Sequence, residues 1–368
     1  MKILITGATG FLGGATTAAL AEDGLASKLQ FLIRAKSQAE ALVRLKESLA
    51  RFELSPALMD EFTAGQVILG DLGDVDAFAE NPLLDATTHV LNCAAVASFG
   101  DHPGIWPINV VGTVAFARRM AKAPKLQRFL HVGTAMACGA GKVSPIHESW
   151  DFASADKHLV LYTASKAEAE RQMHEEIPGL PLVVARPSIV VGHSRLGCGP
   201  STSIFWVFRM VQDLACFMFA LDDGIDVIPV DYCARALKFL LLRESLSTNL
   251  YHISAGVTSN ASFRHLDIAM AKARGISPVG ESYRQIKDSD IPSLIPEFQK
   301  RLGIRNRRLL SQATKLYGGF SSLSYLFDNS QLMNEGMPPP PRFTDYVGLC
   351  IQSTEGMPLL EQMMDDFK

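Results

Sequence analysis

Short runs of β-branched and apolar residues alternate with longer stretches of helical periodicity through the first half of the chain. The apolar runs are Lys2–Thr6, Leu29–Ile33, Val67–Leu69, His89–Leu91, Phe129–Val132 and Leu182–Ala185, with a last one at Leu250–Ile253. Most are apolar at successive positions, so each strand is expected to be covered on both faces. Helices are expected at Leu12–Ala21, Gln38–Phe52, Ile105–Ala121 and Leu161–Ile177, each ended by glycine, proline or a polar turn. Strand and helix in alternation predict an α/β doubly wound fold, a parallel sheet with helices on both sides.

After Pro187 the rhythm breaks. Gly197 to Gly224 is rich in Phe, Met and Trp, and Asp231 is the expected N-cap of the helix that follows Val230. From Ser259 the strands are expected to stop, leaving helix and loop, with Pro338 to Pro341 as a stiff connector before a short C-terminal helix. This divides the chain into a nucleotide-binding domain at 1–195, continued by 225–258, and a smaller, mostly helical substrate-binding region at 196–224 and 259–368. The length of 368 residues suits one large domain with such an appendage.

Composition removes several function classes. Forty-eight per cent hydrophobic residues against 20% charged is a globular balance, and a formal charge of −3 is too even for a chain that neutralises phosphate backbones, so no nucleic-acid partner is expected. The six cysteines (Cys93, Cys138, Cys198, Cys216, Cys233, Cys350) show no C-x-x-C or Cys/His pair at metal spacing, which implies reduced core thiols, no metal site and a cytoplasmic protein. No apolar leader precedes the first strand, and the apolar stretch Ile204 to Leu221 carries Arg209, Gln212 and Asp213, so no transmembrane segment is expected.

Directly after the first strand comes Thr6-Gly7-Ala8-Thr9-Gly10-Phe11-Leu12-Gly13, a G-x-x-G-x-x-G loop opening a helix. Glycines there allow the tight turn and let backbone N–H groups approach a pyrophosphate at the helix N-terminus. Where an NAD site ends its second strand with an acid, this chain has Arg34, and Arg44 follows on the next helix. Guanidinium groups suit a 2′-phosphate, which favours NADP(H) over NAD(H). Asp71 and Leu72 after the third strand are placed for the adenine, and Ala94 and Ala95 after the fourth are small where backbone must pass the cofactor; a plain turn and an Ala-rich packing turn are the competing readings of these two segments.

Tyr162 and Lys166 stand at i and i+4 of the expected helix, on one face. An ammonium beside a phenol lowers the phenol's pKa and suits it to acid–base work. The spacing recurs at Tyr283 and Lys287, but that pair lies in the region without strands and is expected to be a solvated face. Thr134 ends the fifth strand in the run His131-Val132-Gly133-Thr134-Ala135. Loops from successive strands converge on the crevice at the carboxyl edge of a parallel sheet. There Thr134 and Tyr162 would hydrogen-bond one carbonyl oxygen while hydride reaches its carbon, with Lys166 adding positive charge. The reaction class is carbonyl reduction or its reverse.

With these residues assembled, the chain resembles the extended short-chain dehydrogenase/reductases. The runs that carry the likeness are Thr6–Gly13, Asn109-Val110-Val111-Gly112-Thr113, the Tyr162/Lys166 pair, Ala185-Arg186-Pro187-Ser188-Ile189-Val190-Val191-Gly192 and Ile228-Pro229-Val230-Asp231-Tyr232. Within that group it is most similar to the thioester-reductase and fatty acyl-CoA reductase branch, the male-sterility type, through Leu32-Ile33-Arg34-Ala35 with Arg44-Leu45 and through His131–Ala135. Gly133 stands where the branch usually has serine and Met136 where it commonly has an aromatic residue.

The resemblance implies a Rossmann-type fold, NADPH as cofactor, and Thr134, Tyr162 and Lys166 as the catalytic set. It gives Gly7, Gly10 and Gly13, with Thr6, Thr9, Phe11 and Leu12 around them, to the pyrophosphate, and Arg34 and Arg44 to the 2′-phosphate. Asn109 would support the lysine, Lys166 would bond the nicotinamide ribose, and Pro187, Ser188 and Ile189 would pass beside the nicotinamide. The implied substrate is an acyl thioester on CoA or a carrier protein, reduced to aldehyde or alcohol. The aromatic stretch Ser203–Ala220, with Phe205, Trp206, Phe208, Phe217 and Phe219, is either an acyl pocket or core packing. Reduction of a ketone or aldehyde, NDP-sugar epimerisation or dehydration, and a non-catalytic dinucleotide sensor are the alternatives.

Overall fold

The computed structural model describes residues 1–100 and 102–366. Seven strands form one sheet: β1 (Ile3–Thr6), β2 (Leu29–Ile33), β3 (Val67–Leu69), β4 (His89–Asn92), β5 (Arg128–Val132), β6 (Leu182–Pro187) and β7 (Leu250–Ile253). Their order is β7-β6-β5-β4-β1-β2-β3 and every neighbouring pair is parallel. The order reverses between β1 and β4, which opens a crevice beyond their carboxyl ends. All seven expected strands are present, with bounds shifted by at most two residues, because continuous apolar runs such as Ile3-Leu4-Ile5 are fully buried on both faces.

Helices α1 (Phe11–Glu22) and α2 (Gln38–Ala50) cover one face; α3 (Thr113–Ala121) and α4 (Leu161–Glu176) cover the other. The expected helix at Ile105–Ala121 differs in its first part: Pro107–Gly112 is π-helical and only then does α3 begin. A bulge of that kind sets side chains at angles a regular helix does not reach, and it recurs at functional sites.

The later chain adds α5 (Phe205–Leu214), α6 (Val230–Leu242), α7 (Phe263–Arg274), α8 (Ile291–Leu302), α9 (Arg307–Ser321), α10 (Phe343–Ser353) and α11 (Leu359–Asp366). Helix α6 packs on the sheet with α1, whereas α5 and α7 to α11 surround a separate buried cluster that holds Trp206, Phe217, Phe263, Phe298 and Tyr346. Strands do not stop at Ser259: Ala261–Ser262 pairs with Gly224–Ile225, and Arg284–Gln285 pairs with Cys216–Phe217. These two-residue strands are too short for any alternation to announce them.

Asp231 is not the N-cap of α6. That place belongs to Pro229, and Asp231 lies in the first turn, where its carboxylate accepts from the Ser194 N–H at 2.8 Å and the Ser194 hydroxyl at 2.7 Å. All six cysteines are free, five of them buried and Cys93 half-buried. Among the described residues no helix is long and apolar enough to cross a membrane, and no group of three or more His, Cys, Asp or Glu side chains is placed to hold a metal ion.

Candidate active site

The glycine loop closes tightly on itself and on the end of β4. Gly7 has φ +71°, and a Cβ there would lie 2.8 Å from the Ala94 nitrogen; a Cβ on Gly13 would lie 2.2 Å from the Gly7 carbonyl oxygen. Gly10, the N-cap of α1, donates its N–H to Gly7 O at 2.9 Å, offers no side-chain cap, and is followed by no acidic residue in the first turn. The first-turn N–H groups of α1 are therefore left for an outside acceptor, and bare backbone surrounds them. This cradle fits a pyrophosphate. Thr6 and Ala94 brace it: the Thr6 hydroxyl donates to Asn92 Oδ1 at 2.6 Å and accepts from the Ala94 N–H at 3.1 Å.

At the outer end of the crevice, Arg44 donates through Nη1 to the Arg34 carbonyl, so the two arginines are neighbours as the sequence suggests. Arg34 Nη1 lies 3.2 Å from Asp71 Oδ2, with the arginine side chain 75% exposed. Asp71 also accepts from the Gly73 N–H at 2.7 Å and so holds its own turn. Leu72 is buried, and its carbonyl oxygen would be 1.9 Å from a Cβ on Gly112, which is why the π-helical segment ends in glycine there. Arg51, which no sequence motif singles out, donates to Thr9 O at 3.0 Å and to Pro200 O at 3.4 Å, joining the glycine loop to the second region.

The inner end is built by α4, β4 and β5. Asn109 accepts from the Val96 N–H at 2.8 Å, donates to Val96 O at 3.0 Å and donates to the Ser165 hydroxyl at 3.0 Å. It thus supports Lys166 indirectly, through the residue before it and the strand-end loop. Lys166 is buried at 2% exposure and its amine is pushed down to about 8, by burial first, against the opposing charges of Glu170 and Cys93. Cys93, just past β4, is in turn held up at about 12 by burial, with Lys166 opposing. His131 on β5 is pushed well down by burial and by Lys166. Lys166 thus interacts electrostatically with Cys93 just past β4, with His131 on β5 and with Glu170 one turn further along α4.

Tyr162 departs from expectation. Its phenol is pushed up to about 12, by burial first and by the Glu170 carboxylate second. Sequence spacing sees the lysine at i+4 but not the buried carboxylate one turn further. Thr134 caps the turn that follows β5, its hydroxyl accepting from the Met136 N–H at 3.3 Å, and its backbone N–H faces Glu170. Pro187 is buried in β6, Ser188 follows with its N–H on Ile253 O at 2.9 Å, and Ile189 is exposed.

Two further residues belong to the site that sequence reasoning missed. Glu170, fully buried on α4, receives Arg186 Nε at 2.8 Å and Nη2 at 2.7 Å on Oε2. The i, i+4 relation of Lys166 and Glu170 is a readable signal for it. Phe99 has no such signal: its ring stands 5.7 Å from Tyr162, 5.7 Å from Tyr317 and 5.5 Å from Phe320, contacts that only the fold creates. The aromatic stretch resolves to core packing, with Phe205, Trp206, Phe208, Phe217 and Phe219 all at most 6% exposed. Trp206 meets Tyr317 edge-on at 5.1 Å and so backs one of the rings on which Phe99 packs. Tyr283 and Lys287 share no helix; the Tyr283 hydroxyl donates to Phe219 O at 2.9 Å and the ring packs on Phe219 and Phe263, so it is no solvated face.

An NAD-binding family model described as male sterility protein matches residues 5–237. The chain is 28% identical over 275 residues to a linear gramicidin synthase of Brevibacillus parabrevis, a match that takes in 69% of this chain and 5% of that one. It is 23% identical over 394 residues to fatty acyl-CoA reductase 2 of Mus musculus, covering 89% of this chain and 75% of that one. Among solved structures, the terminal R domain from the myxalamid PKS-NRPS biosynthetic pathway superposes with a TM-score of 0.75 at 22% identity, over 96% of this chain and 90% of that one, and shares the fold.

Proposed function

The chain belongs to the male sterility protein family, with a nicotinamide dinucleotide as its cofactor, and from that premise we propose that it is an NADPH-dependent reductase of acyl thioesters, of the extended short-chain dehydrogenase/reductase type. One observation carries the catalytic reading. The buried carboxylate of Glu170, one turn beyond Lys166 and two beyond Tyr162 on α4, lies against the backbone of Gly133 next to Thr134, so the end of β5 meets the helix that carries the phenol and the amine.

Bound in the cradle, a reduced nicotinamide supplies the hydride. Gly7, Gly10 and Gly13, with Thr6, Thr9, Phe11 and Leu12, hold the pyrophosphate; Arg34 and Arg44 take the 2′-phosphate; Asp71, Leu72, Ala94, Ala95, Asn109 and Pro187 to Ile189 complete the groove. The phenol of Tyr162 stays protonated at neutral pH, and with the Thr134 hydroxyl it donates to the oxygen of the thioester carbonyl as that oxygen becomes negative. Lys166 orients the ribose and adds positive charge. Collapse of the resulting hemithioacetal releases thiol and aldehyde. The thiol carrier is CoA or a carrier protein, and its acyl chain lies against Phe99, Phe320 and Tyr317.

The cofactor half comprises 1–195 and 225–258, and the substrate half 196–224 and 259–368, a division supported by a second buried cluster drawn mostly from the latter, although Val191 and Val227 join it and Leu332 and Met337 join the sheet's own core. The test is oxidation of NADPH by the purified protein with acyl-CoA, aldehyde and sugar-nucleotide panels. Turnover of a thioester that Tyr162→Phe abolishes while NADPH still binds is expected. No turnover with any thioester overturns the reading.

A further inference from the structure

Gly133 has no room for a side chain: a Cβ there would stand 2.0 Å from Glu170 Oε1 and 3.1 Å from its carboxyl carbon. The carboxylate of Glu170 occupies the space that any other residue at 133 would claim. It is held there by Arg186, whose Nε and Nη2 both reach Oε2, while Arg186 Nη1 donates to Ser149 O at 3.0 Å. Glutamate and arginine are 0% and 4% exposed, so neither charge is screened by water. Oε1 makes no hydrogen bond among the described residues and lies over Gly133; burial pushes the Glu170 carboxyl up, and Arg186, Lys166 and the Thr134 backbone oppose that by favouring its ionised form.

We infer that Glu170 is a positioning residue of the reductase site, a buried carboxylate clamped by Arg186 and seated in the gap left by Gly133, from which it fixes the backbone that leads into Thr134 and favours a charged Lys166 one turn back on α4. The inference rests on the reductase reading above. Without Gly133 the carboxylate could not approach Thr134; without Arg186 an anion at this depth would be too costly to keep ionised. The charged and titratable groups around the pair are Arg186 on β6, Lys166 and Tyr162 on α4, Cys93 beyond β4, His131 on β5, Cys138 beyond β5 and His252 on β7. Arg186 and Lys166 are the cations of this group, and Glu170 favours the charged form of Lys166.

Glu170→Gln keeps the shape and removes the charge. With an acyl-CoA and NADPH, kcat is expected to fall about 10²-fold, the scale of a misplaced reacting group, while the NADPH dissociation constant and the KM for thioester change little. The alkaline limb of the kcat profile moves to lower pH, since the ammonium of Lys166 loses its anion. Gly133→Ala tests the same geometry with the ion pair intact: its methyl displaces the carboxylate, kcat falls, and the shorter arm in Gly133→Ala/Glu170→Asp restores part of the loss. If Glu170→Gln does not fold, Gly133→Ala decides alone. Native kcat and a native alkaline limb in the folded variants overturn the inference. Tyr162→Phe separates the two claims: if it leaves turnover intact the reductase reading itself fails, whereas an inactive Tyr162→Phe beside a native Glu170→Gln removes the positioning role only.

Discussion

The ring of Phe99 lies 5.7 Å from the ring of Tyr162 at 59°, and the far side of Phe99 rests on Tyr317 and Phe320 of α9. One side chain from the cofactor half thereby connects the phenol to the helical region. Burial, the larger of the two causes that raise the Tyr162 phenol to about 12, depends on such cover.

Loss of that ring should be felt in substrate binding. Aromatic pairs are each worth about 0.5–1.5 kcal/mol beyond area burial, so Phe99→Ala should raise KM for a long-chain thioester by about tenfold and leave the NADPH dissociation constant near native. The phenol, now wetter, should titrate below about 12, as followed by its ultraviolet difference spectrum. A native KM together with an unmoved phenol titration would show that Phe99 covers nothing.

Cofactor choice depends on the other end of the crevice. The Arg34–Asp71 pair is exposed on the arginine side, and such pairs contribute roughly 0–1 kcal/mol, so the guanidinium gives up little in turning to a phosphate. Arg34→Ala should cost little stability and reduce the preference for NADPH over NADH by about 10- to 100-fold, the size of one or two charge-assisted hydrogen bonds. Steady-state kinetics with both dinucleotides check this. An unchanged ratio in Arg34→Ala and in Arg44→Ala would remove the 2′-phosphate assignment.

Much of this architecture is legible in the sequence, and the reason is local. The strands read correctly because runs such as Phe31-Leu32-Ile33 are buried on both faces and leave no competing period. The glycine loop is legible as a tight turn from strand to helix because Gly7 and Gly13 answer to backbone a few residues away or to the end of the adjacent strand. What escapes is set by contacts across the fold. Asp231 has the composition of an N-cap but is drawn to Ser194 by a turn that sequence spacing does not reveal. Phe205 and Phe208 look equally like pocket and core until Phe343 is seen packing on both. Spacing gives the phenol of Tyr162 only its lysine, whereas Glu170 and burial act on it in the opposite direction.

The cradle itself is testable without turnover. A methyl at position 13 would sit 2.2 Å from Gly7 O and could be accepted only by moving backbone. Gly13→Ala should therefore weaken NADPH binding by well over tenfold, with the sheet and its far-ultraviolet circular dichroism intact, since the distortion falls on the loop that meets the pyrophosphate. Fluorescence titration of NADPH provides the measure, and native affinity in this variant would place the dinucleotide elsewhere.

Lys166 links the site to stability with a definite sign. Its folded value is lowered to about 8, by burial before all else, from an unfolded value near 10.4. Below about 8 both states carry the proton and the folded state bears the full cost of a buried ammonium; as pH rises toward the unfolded value the folded chain loses that proton first and the cost disappears. At about 1.4 kcal/mol per pH unit the cost is on the order of 3 kcal/mol. Lys166→Met, similar in length and apolar, should thus be inactive yet more stable than the native protein at pH 7, and the gap in denaturation midpoint should close as pH approaches 10. The residual gap at high pH measures packing alone, because Glu170 keeps Arg186 in both proteins. A variant no more stable at pH 7, or a gap that widens with pH, would mean that the ammonium is not buried at a cost.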